Sequence, residues 1–279
     1  MIEVVIQGVK GCFHEIAAHK FFGEREELQL IECDSFRKMF MALEEKSSRY
    51  AVMAIENTVA GSILPNYALL MQSDYTIIGE VYQRIQHQLM SLPGVGLEDL
   101  KQVRSHPMAL LQCLDFFSKR KDIQLVEAAD TAGSAKDLQE SPQEGIAVIA
   151  SSLAAERYSM NIIAEGIETN PRNFTRFLVL QATEEAKIRS DFNKASICFR
   201  LGHEVGSLAK VLAVFAENAI NLTKIQSLPV IGSEWQYLFL VDLEFENPEI
   251  YEKSLSQAQT YLEELKVLGK YRAGIKYRS

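Results

Sequence analysis

The sequence predicts an α/β protein of two domains, and three observations carry that prediction. Apolar runs of strand length alternate with helix-period segments from residue 2 to residue 182; residues 183–193 lose that alternation and carry mixed charge; and residues 194–279 follow the order βαββαβ. At 279 residues the chain also exceeds the usual size of one compact domain.

Each element follows from its local pattern. Residues 2–7 read as a buried strand, 15–22 as a helix and 28–32 as a second strand. Asp34 is placed to cap a helix whose Phe36, Met39, Phe40 and Leu43 share one apolar face, and 50–55 is a third strand. This βαβαβ rhythm implies parallel strands joined by crossover helices. Further strands are expected at 75–85, 102–105, 124–126, 145–150 and 174–180, with helical patterns between most of them. One α/β domain therefore spans 1–182, and 183–193 reads as a solvated linker. Beyond it come a strand at 194–201, a helix at 206–218, strands at 221–228 and 235–245, a helix at 248–268 and a strand at 271–277. That is the ferredoxin-like order, and a unit this small with an open sheet face suits pairing with a second copy.

Composition narrows the functional classes. With 47% hydrophobic and 24% charged residues, and only 15 Gly and 7 Pro, disorder and fibrous repeats are excluded. Twenty-nine Lys and Arg against 37 Asp and Glu leave a net charge of -8, the wrong sign for a surface that grips nucleic acid. The N-terminal segment lacks a basic region, and no run of about 18 apolar residues occurs, so a cytoplasmic protein with no membrane partner is expected. Cys12, Cys33, Cys113 and Cys198 are scattered without a CxxC pair, which argues against a disulfide framework and a structural zinc site; all four are expected as buried reduced thiols.

Small and polar residues cluster where strand ends meet helix starts, the places where an open α/β sheet binds ligands. Gly8 and Gly11 allow a tight turn after the first strand, but the GxGxxG dinucleotide fingerprint is absent. Glu56, Asn57, Thr58, Gly61 and Ser62 place a carboxylate, an amide and two hydroxyls in one loop, with Ser62 positioned to cap the next helix. Ser105-His106-Pro107 puts a cap candidate and an early proline at another helix start, and Gln112 either faces the same cleft or is solvated. Asp130-Thr131-Ala132 is a third such start. Several helix N-termini converging on one cleft suit a small dianion without needing a basic surface. In Asn173-Phe174-Thr175-Arg176-Phe177 the apolar alternation says strand, so Thr175 and Arg176 point to opposite faces; Arg176 fits either a structural ion pair or a ligand contact.

Taken in order, segments 8–18 (GVKGCFHEIAA), 55–62 (IENTVAGS), Gly79-Glu80, 105–113 (SHPMALLQC), 130–135 (DTAGSA), 147–155 (AVIASSLAA) and 173–177 (NFTRF) resemble prephenate dehydratase, the lyase that converts prephenate to phenylpyruvate in phenylalanine biosynthesis. The resemblance implies a two-lobed catalytic domain similar to type-2 periplasmic binding proteins. It assigns Thr175 the catalytic role and gives cleft roles to Asn57, Thr58, Gly61, Ser62, Ser105, Gln112, Thr131, Ala132 and Arg176. It implies no cofactor and no metal. Three positions depart from the pattern: His14 stands where the family usually has Ser, Met108 where Gln is common, and Ala54 where Pro is common. The proton donor to the leaving hydroxyl stays open between a carboxyl, His106 and a relayed water.

Residues 194–279 resemble the ACT regulatory domain of the same family, through Gly206-Ser207-Leu208 and the segment 221–229 (NLTKIQSLP). The resemblance implies a homo-oligomer, dimer or tetramer, that binds phenylalanine between ACT domains, with Gly206, Ser207, Leu208, Asn221 and Gln226 at the site. The family's usual Glu-Ser-Arg-Pro reads Gln226-Ser227-Leu228-Pro229 here, so a negative and a positive side chain are both missing. Arogenate dehydratase is the alternative enzyme reading, and a non-catalytic amino-acid sensor on the same fold is the alternative binding one.

Overall fold

The computed structural model describes residues 1–23, 26–45, 50–202, 204–229 and 237–276. The chain begins with β1 (Ile2–Gln7), α1 (Phe13–Phe22), β2 (Leu28–Cys33), α2 (Phe36–Glu44) and β3 (Tyr50–Asn57). As the βαβαβ rhythm implies, β1 pairs in parallel with both β2 and β3. Val4, Val5, Ile6 and Ala51 to Met53 are fully buried, the continuous apolar run that a parallel strand needs when both faces are covered. The α2 cap is Ser35 rather than Asp34: Ser35 holds the extended backbone just before the first helical residue and accepts from the Lys38 N–H, while Asp34 pairs with the Lys38 ammonium at 2.5 Å.

A tight hairpin joins β3 to β4 (Gly61–Ser62), pairing Glu56 with Ser62 and Asn57 with Gly61. Ser62 is therefore a strand residue and not a helix cap, because the next helix, α3 (Leu64–Gln72), begins two residues later. The Asn57 Oδ1 closes the hairpin by accepting from the N–H groups of Val59 and Ala60.

After β5 (Tyr75–Arg84) come β6 (Gln88–Ser91), β7 (Gln102–Ser105), α4 (Pro107–Gln112), α5 (Leu114–Phe117), β8 (Gln124–Glu127), α6 (Thr131–Glu140), β9 (Ile146–Ala150), α7 (Ser152–Arg157), β10 (Asn161–Ala164) and β11 (Phe174–Ala182). A five-stranded sheet runs in the order β10-β6-β9-β7-β8. It is mixed, not parallel throughout: β7 is parallel to β8 and β9, whereas β6 is antiparallel to β9 and β10. Neither β6 nor β10 is among the strands expected from the sequence. Ser105 does not cap α4. Its hydroxyl donates to the Ile149 carbonyl inside this sheet, and the cap is His106, whose Nδ1 accepts from the Met108 N–H.

The last part comprises β12 (Lys194–Leu201), α8 (Ser207–Glu217), β13 (Asn221–Pro229), β14 (Tyr237–Glu244), α9 (Pro248–Ala258) and β15 (Leu262–Tyr271). Its strands lie in the order β13-β14-β12-β15, paired antiparallel, around a core that includes Ile197, Phe199, Val211, Phe215, Val241 and Tyr251. The βαββαβ order is present, but the final helix stops at Ala258 and the strand expected at 271–277 lies at 262–271 instead. Residue 277, and residues 235 and 236 at the expected start of β14, lie outside the described residues. Residues 183–193 contain no helix or strand.

By contacts the chain divides into two compact units, Met1–Ile63 with Val81–Phe177, and Leu64–Glu80 with Leu178–Ser279. In the second unit, α3 and the first half of β5 join the C-terminal segment. The buried Lys194 ammonium bonds Glu80 at 2.9 Å, Lys266 donates to the carbonyls of Met71 and Ser73, and Gly269 pairs with Ile77. All four cysteines are free, and Cys33 is half-buried where full burial was expected. No helix among the described residues is long and apolar enough to cross a membrane.

Candidate active site

The first unit encloses a cavity of about 410 Å³. Its walls come from the end of β1 and start of α1 (Gln7, Cys12, Phe13, His14), from Phe36 of α2, from β3 and its hairpin (Ala54, Asn57, Ala60, Ile63), from Ile85 and His87, from α4 (His106, Met108, Ala109, Gln112), from the start of α6 (Ala129, Asp130, Thr131) and from β11 (Thr175, Phe177). One side is thus apolar and the other carries a small set of polar groups, the usual make-up of a ligand cavity. No Lys or Arg lines it among the described residues.

A chain of hydrogen bonds orders the polar side. Asn57 Nδ2 donates to Thr175 Oγ1 at 2.9 Å and to Asn173 Oδ1 at 2.7 Å, while its Oδ1 is occupied by the hairpin amides. Thr175 Oγ1 is therefore an acceptor on the protein side, and its own O–H remains to donate elsewhere. Asn173 Nδ2 donates to Gln112 Oε1 at 2.8 Å, and the same oxygen meets His87 Nε2 at 2.9 Å. Because an amide oxygen only accepts, His87 carries its proton on Nε2. Its Nδ1 is then a bare lone pair, buried and without a hydrogen-bond partner among the described residues. Burial lowers the His87 pKa against the opposing effects of Gln112 and Glu168. The Glu168 carboxylate also accepts from the His87 backbone N–H at 2.9 Å.

His14 is held the other way round. Its Nε2 accepts from the Ala54 N–H at 3.3 Å, and the ring packs against Phe177 and Phe36 with centroids 4.9 and 5.6 Å apart. Burial pushes its pKa down to about 3. Burial likewise pushes the Cys12 thiol up to about 12. Asp130 caps α6 by accepting from the Gly133 N–H at 3.1 Å and also receives the Val9 N–H at 3.4 Å. Nearby, buried Glu15 takes the Gly11 N–H at 2.5 Å and pairs with Arg157, which fastens the Gly8 to Gly11 turn to α7.

Of the residues singled out from the sequence, the cavity brings together Asn57, Gln112, Thr131 and Thr175. Thr58 lies beside it and ties the hairpin to β11, accepting from the Phe174 N–H and donating to the Arg172 carbonyl. Gly61 and Ser62 lie in β4, Ser105 is locked in the sheet, and Ala132 is fully buried in α6; none of these four lines the cavity. Arg176 occupies the opposite face of β11 from Thr175, buried, with Nη1 4.0 Å from the Glu56 carboxylate. Gly206, Ser207, Leu208, Asn221 and Gln226 belong to the second unit. There Gly206 caps α8 at φ 82°, the Ser207 hydroxyl donates to the carbonyls of Gly202 and Glu204, and Gln226 donates to the Ser227 carbonyl. Sequence reasoning missed His87 and Asn173 as members of the site. Among the described residues no group of three or more His, Cys, Asp or Glu side chains is placed to hold a metal ion.

The family model described as prephenate dehydratase matches residues 4–185. A chloroplastic arogenate dehydratase/prephenate dehydratase 2 of Arabidopsis thaliana is 38% identical over 282 residues, spanning 97% of this chain and 72% of that protein. Among solved structures, GqqA, described as a novel type of quorum-quenching acylase, matches with a TM-score of 0.86 and 28% identity over 97% of this chain and 98% of its own. A prephenate dehydratase from Arthrobacter aurescens in complex with L-Phe matches with a TM-score of 0.85 and 25% identity over 97% and 90%.

Proposed function

The chain belongs to the prephenate dehydratase family, and from that premise we infer that its cavity carries out the decarboxylative dehydration of prephenate to phenylpyruvate. The observation that carries the assignment is the bond from Asn57 Nδ2 to Thr175 Oγ1, which leaves the threonine proton for the substrate. In this reaction the ring carboxylate leaves as carbon dioxide, the electron pair of the broken C–C bond moves into the ring, and hydroxide departs from the opposite ring carbon. Thr175 stabilises that departing oxygen as a hydrogen-bond donor. A threonine hydroxyl is too weak an acid to give up its proton outright, so the proton that makes water comes from solvent or from His106, whose ring lines the same cavity. Phe13, Phe36, Ile63 and Phe177 strip water from the ring carboxylate, and the absence of Lys and Arg from the described lining leaves its charge unneutralised, which favours its loss. Gln112 and Asn173 hold Asn57, and Thr131 offers its N–H at the start of α6 to a substrate carboxylate. Arg176 braces the sheet from behind through Glu56.

We assign residues 1–182 to a two-lobed catalytic domain, 183–193 to a linker and 194–279 to an ACT domain, a reading supported by the strand order β13-β14-β12-β15. Phenylalanine is its effector, bound between ACT domains of a cytoplasmic homo-oligomer. The L-Phe complex of the Arthrobacter enzyme supports this assignment. An acylase reading is less well served by the cavity: Cys12 has its thiol pushed up to about 12 by burial, and Thr175 is paired with an amide rather than a base. Offering purified protein prephenate and arogenate in parallel tests the assignment. Phenylpyruvate, seen by its ultraviolet absorbance, is expected from prephenate; phenylalanine formed from arogenate alone would transfer the assignment to the arogenate reaction, and no product from either would remove it.

A further inference from the structure

Of the three histidines that line the cavity, His14 and His87 are fixed by the protein as opposite tautomers. His87 gives its Nε2 proton to Gln112, whereas His14 takes the Ala54 N–H on Nε2 and so carries its own proton on Nδ1. The Nδ1 of His14 makes no hydrogen bond within the described protein, although the ring lines the cavity. It is a positioned, neutral N–H donor in a wall otherwise made by Phe36, Phe177 and Ala54. Its location along the sheet matters. Thr175 and Phe177 alternate on the same face of β11, roughly 7 Å apart at about 3.4 Å per residue, and His14 packs on Phe177. A hydroxyl donor at Thr175 and an N–H donor at His14 thus belong to one cavity and flank Phe177 along its wall.

Resting on the dehydratase reading, we propose that His14 is a specificity-determining residue that binds the ring carboxylate of prephenate through Nδ1–H, opposite the leaving hydroxyl at Thr175. A neutral donor suits this group better than a cation would. It orients the carboxylate without neutralising the charge that must be expelled with carbon dioxide. Burial, which pushes the His14 pKa down to about 3, keeps the ring in this neutral form wherever the carboxylate is ionised. Because the carboxylate loses its charge on the way to the transition state, the bond is stronger to bound substrate than to the transition state, so its removal raises KM without lowering kcat.

Two substitutions separate the two nitrogens. His14→Gln puts an amide where Nε2 lies and can still accept from Ala54, but it has no donor at the Nδ1 position; His14→Asn does the reverse. With wild-type protein turning over prephenate, His14→Gln should melt near the wild-type temperature, raise KM for prephenate about 10- to 100-fold, as loss of one hydrogen bond to a charged group does, and change kcat far less. His14→Asn should recover most of that KM even if it melts lower. Product inhibition by phenylpyruvate, which has lost the ring carboxylate, should be unchanged in His14→Gln, whereas a merely structural role would move both constants together. An unchanged KM in folded His14→Gln, a parallel rise in the phenylpyruvate inhibition constant, or a folded His14→Asn no better than His14→Gln would each overturn the proposal. Absence of prephenate turnover by the wild type would instead overturn the dehydratase reading itself.

Discussion

Asn57 serves two neighbours with the two ends of one amide, and the orientation of the Thr175 hydroxyl depends on that division. Its oxygen is committed to the hairpin N–H groups and its nitrogen to Thr175. Asn57→Asp keeps the hairpin bonds but replaces the donor facing Thr175 with a second acceptor, so the threonine proton turns toward the new carboxylate and away from the substrate. The expected outcome is a kcat about 100-fold lower or worse, the scale of losing one positioned donor to a developing anion, with thermal stability little changed; a kcat within a few-fold of wild type would break the link between Asn57 and catalysis. Asn57 stood out in the polar cluster that closes β3, whereas Thr175, the second residue of β11, was singled out through the family resemblance. His87 was not. It lies between two glutamines in a stretch with no turn residue and no strand period, and only the fold brings it to Gln112, 25 positions away. His14 was noticed as a departure from the family's pattern, but its tautomer depends on the Ala54 N–H, 40 residues along the chain.

At the scale of elements, parallel pairing in the first unit was readable because the centres of β1 and β3, Val4 to Ile6 and Ala51 to Ile55, are continuous buried apolar runs. The C-terminal strand was misread for the opposite reason. β15 alternates poorly: Glu263, Glu264 and Lys266 are exposed, and only Leu268, Gly269 and Tyr271 approach full burial, so its sequence extends the amphipathic pattern of α9. What makes it a strand is its pairing with β12 along nearly its whole length, a non-local interaction that no window contains. Gly269 marks the tightest point of that arrangement. A Cβ there would lie 2.3 Å from the Ile77 carbonyl oxygen and 2.6 Å from the Ile77 Cβ, so one strand must move. Gly269→Ala should lower stability by about 2–3 kcal/mol, the upper range for overpacking a closed site, read as a shifted urea midpoint. A shift of zero would mean that the backbones separate freely at β5.

At the scale of the whole molecule, the proposed catalytic cavity lies in the first unit and the proposed phenylalanine site in the second. In the turn before α8, Gly206 is left-handed and the Ser207 hydroxyl closes on the Gly202 and Glu204 carbonyls. With Gln226 and Leu228 uncharged, we propose that backbone groups meet the carboxylate and ammonium of phenylalanine. Calorimetry should therefore register phenylalanine binding, weaker than a charged site would give, together with inhibition of turnover; no heat and no inhibition at millimolar phenylalanine would leave the domain as an assembly module only. The central claim is that the cavity around Thr175 performs the dehydration. It is tested most directly by the rate at which Thr175→Ala forms phenylpyruvate from prephenate, measured beside the wild type and beside a melting curve. The hydroxyl contributes only about 1 kcal/mol to stability, so the account expects a folded protein whose rate has dropped by roughly two to three orders of magnitude, and a folded variant with near-normal turnover would contradict it.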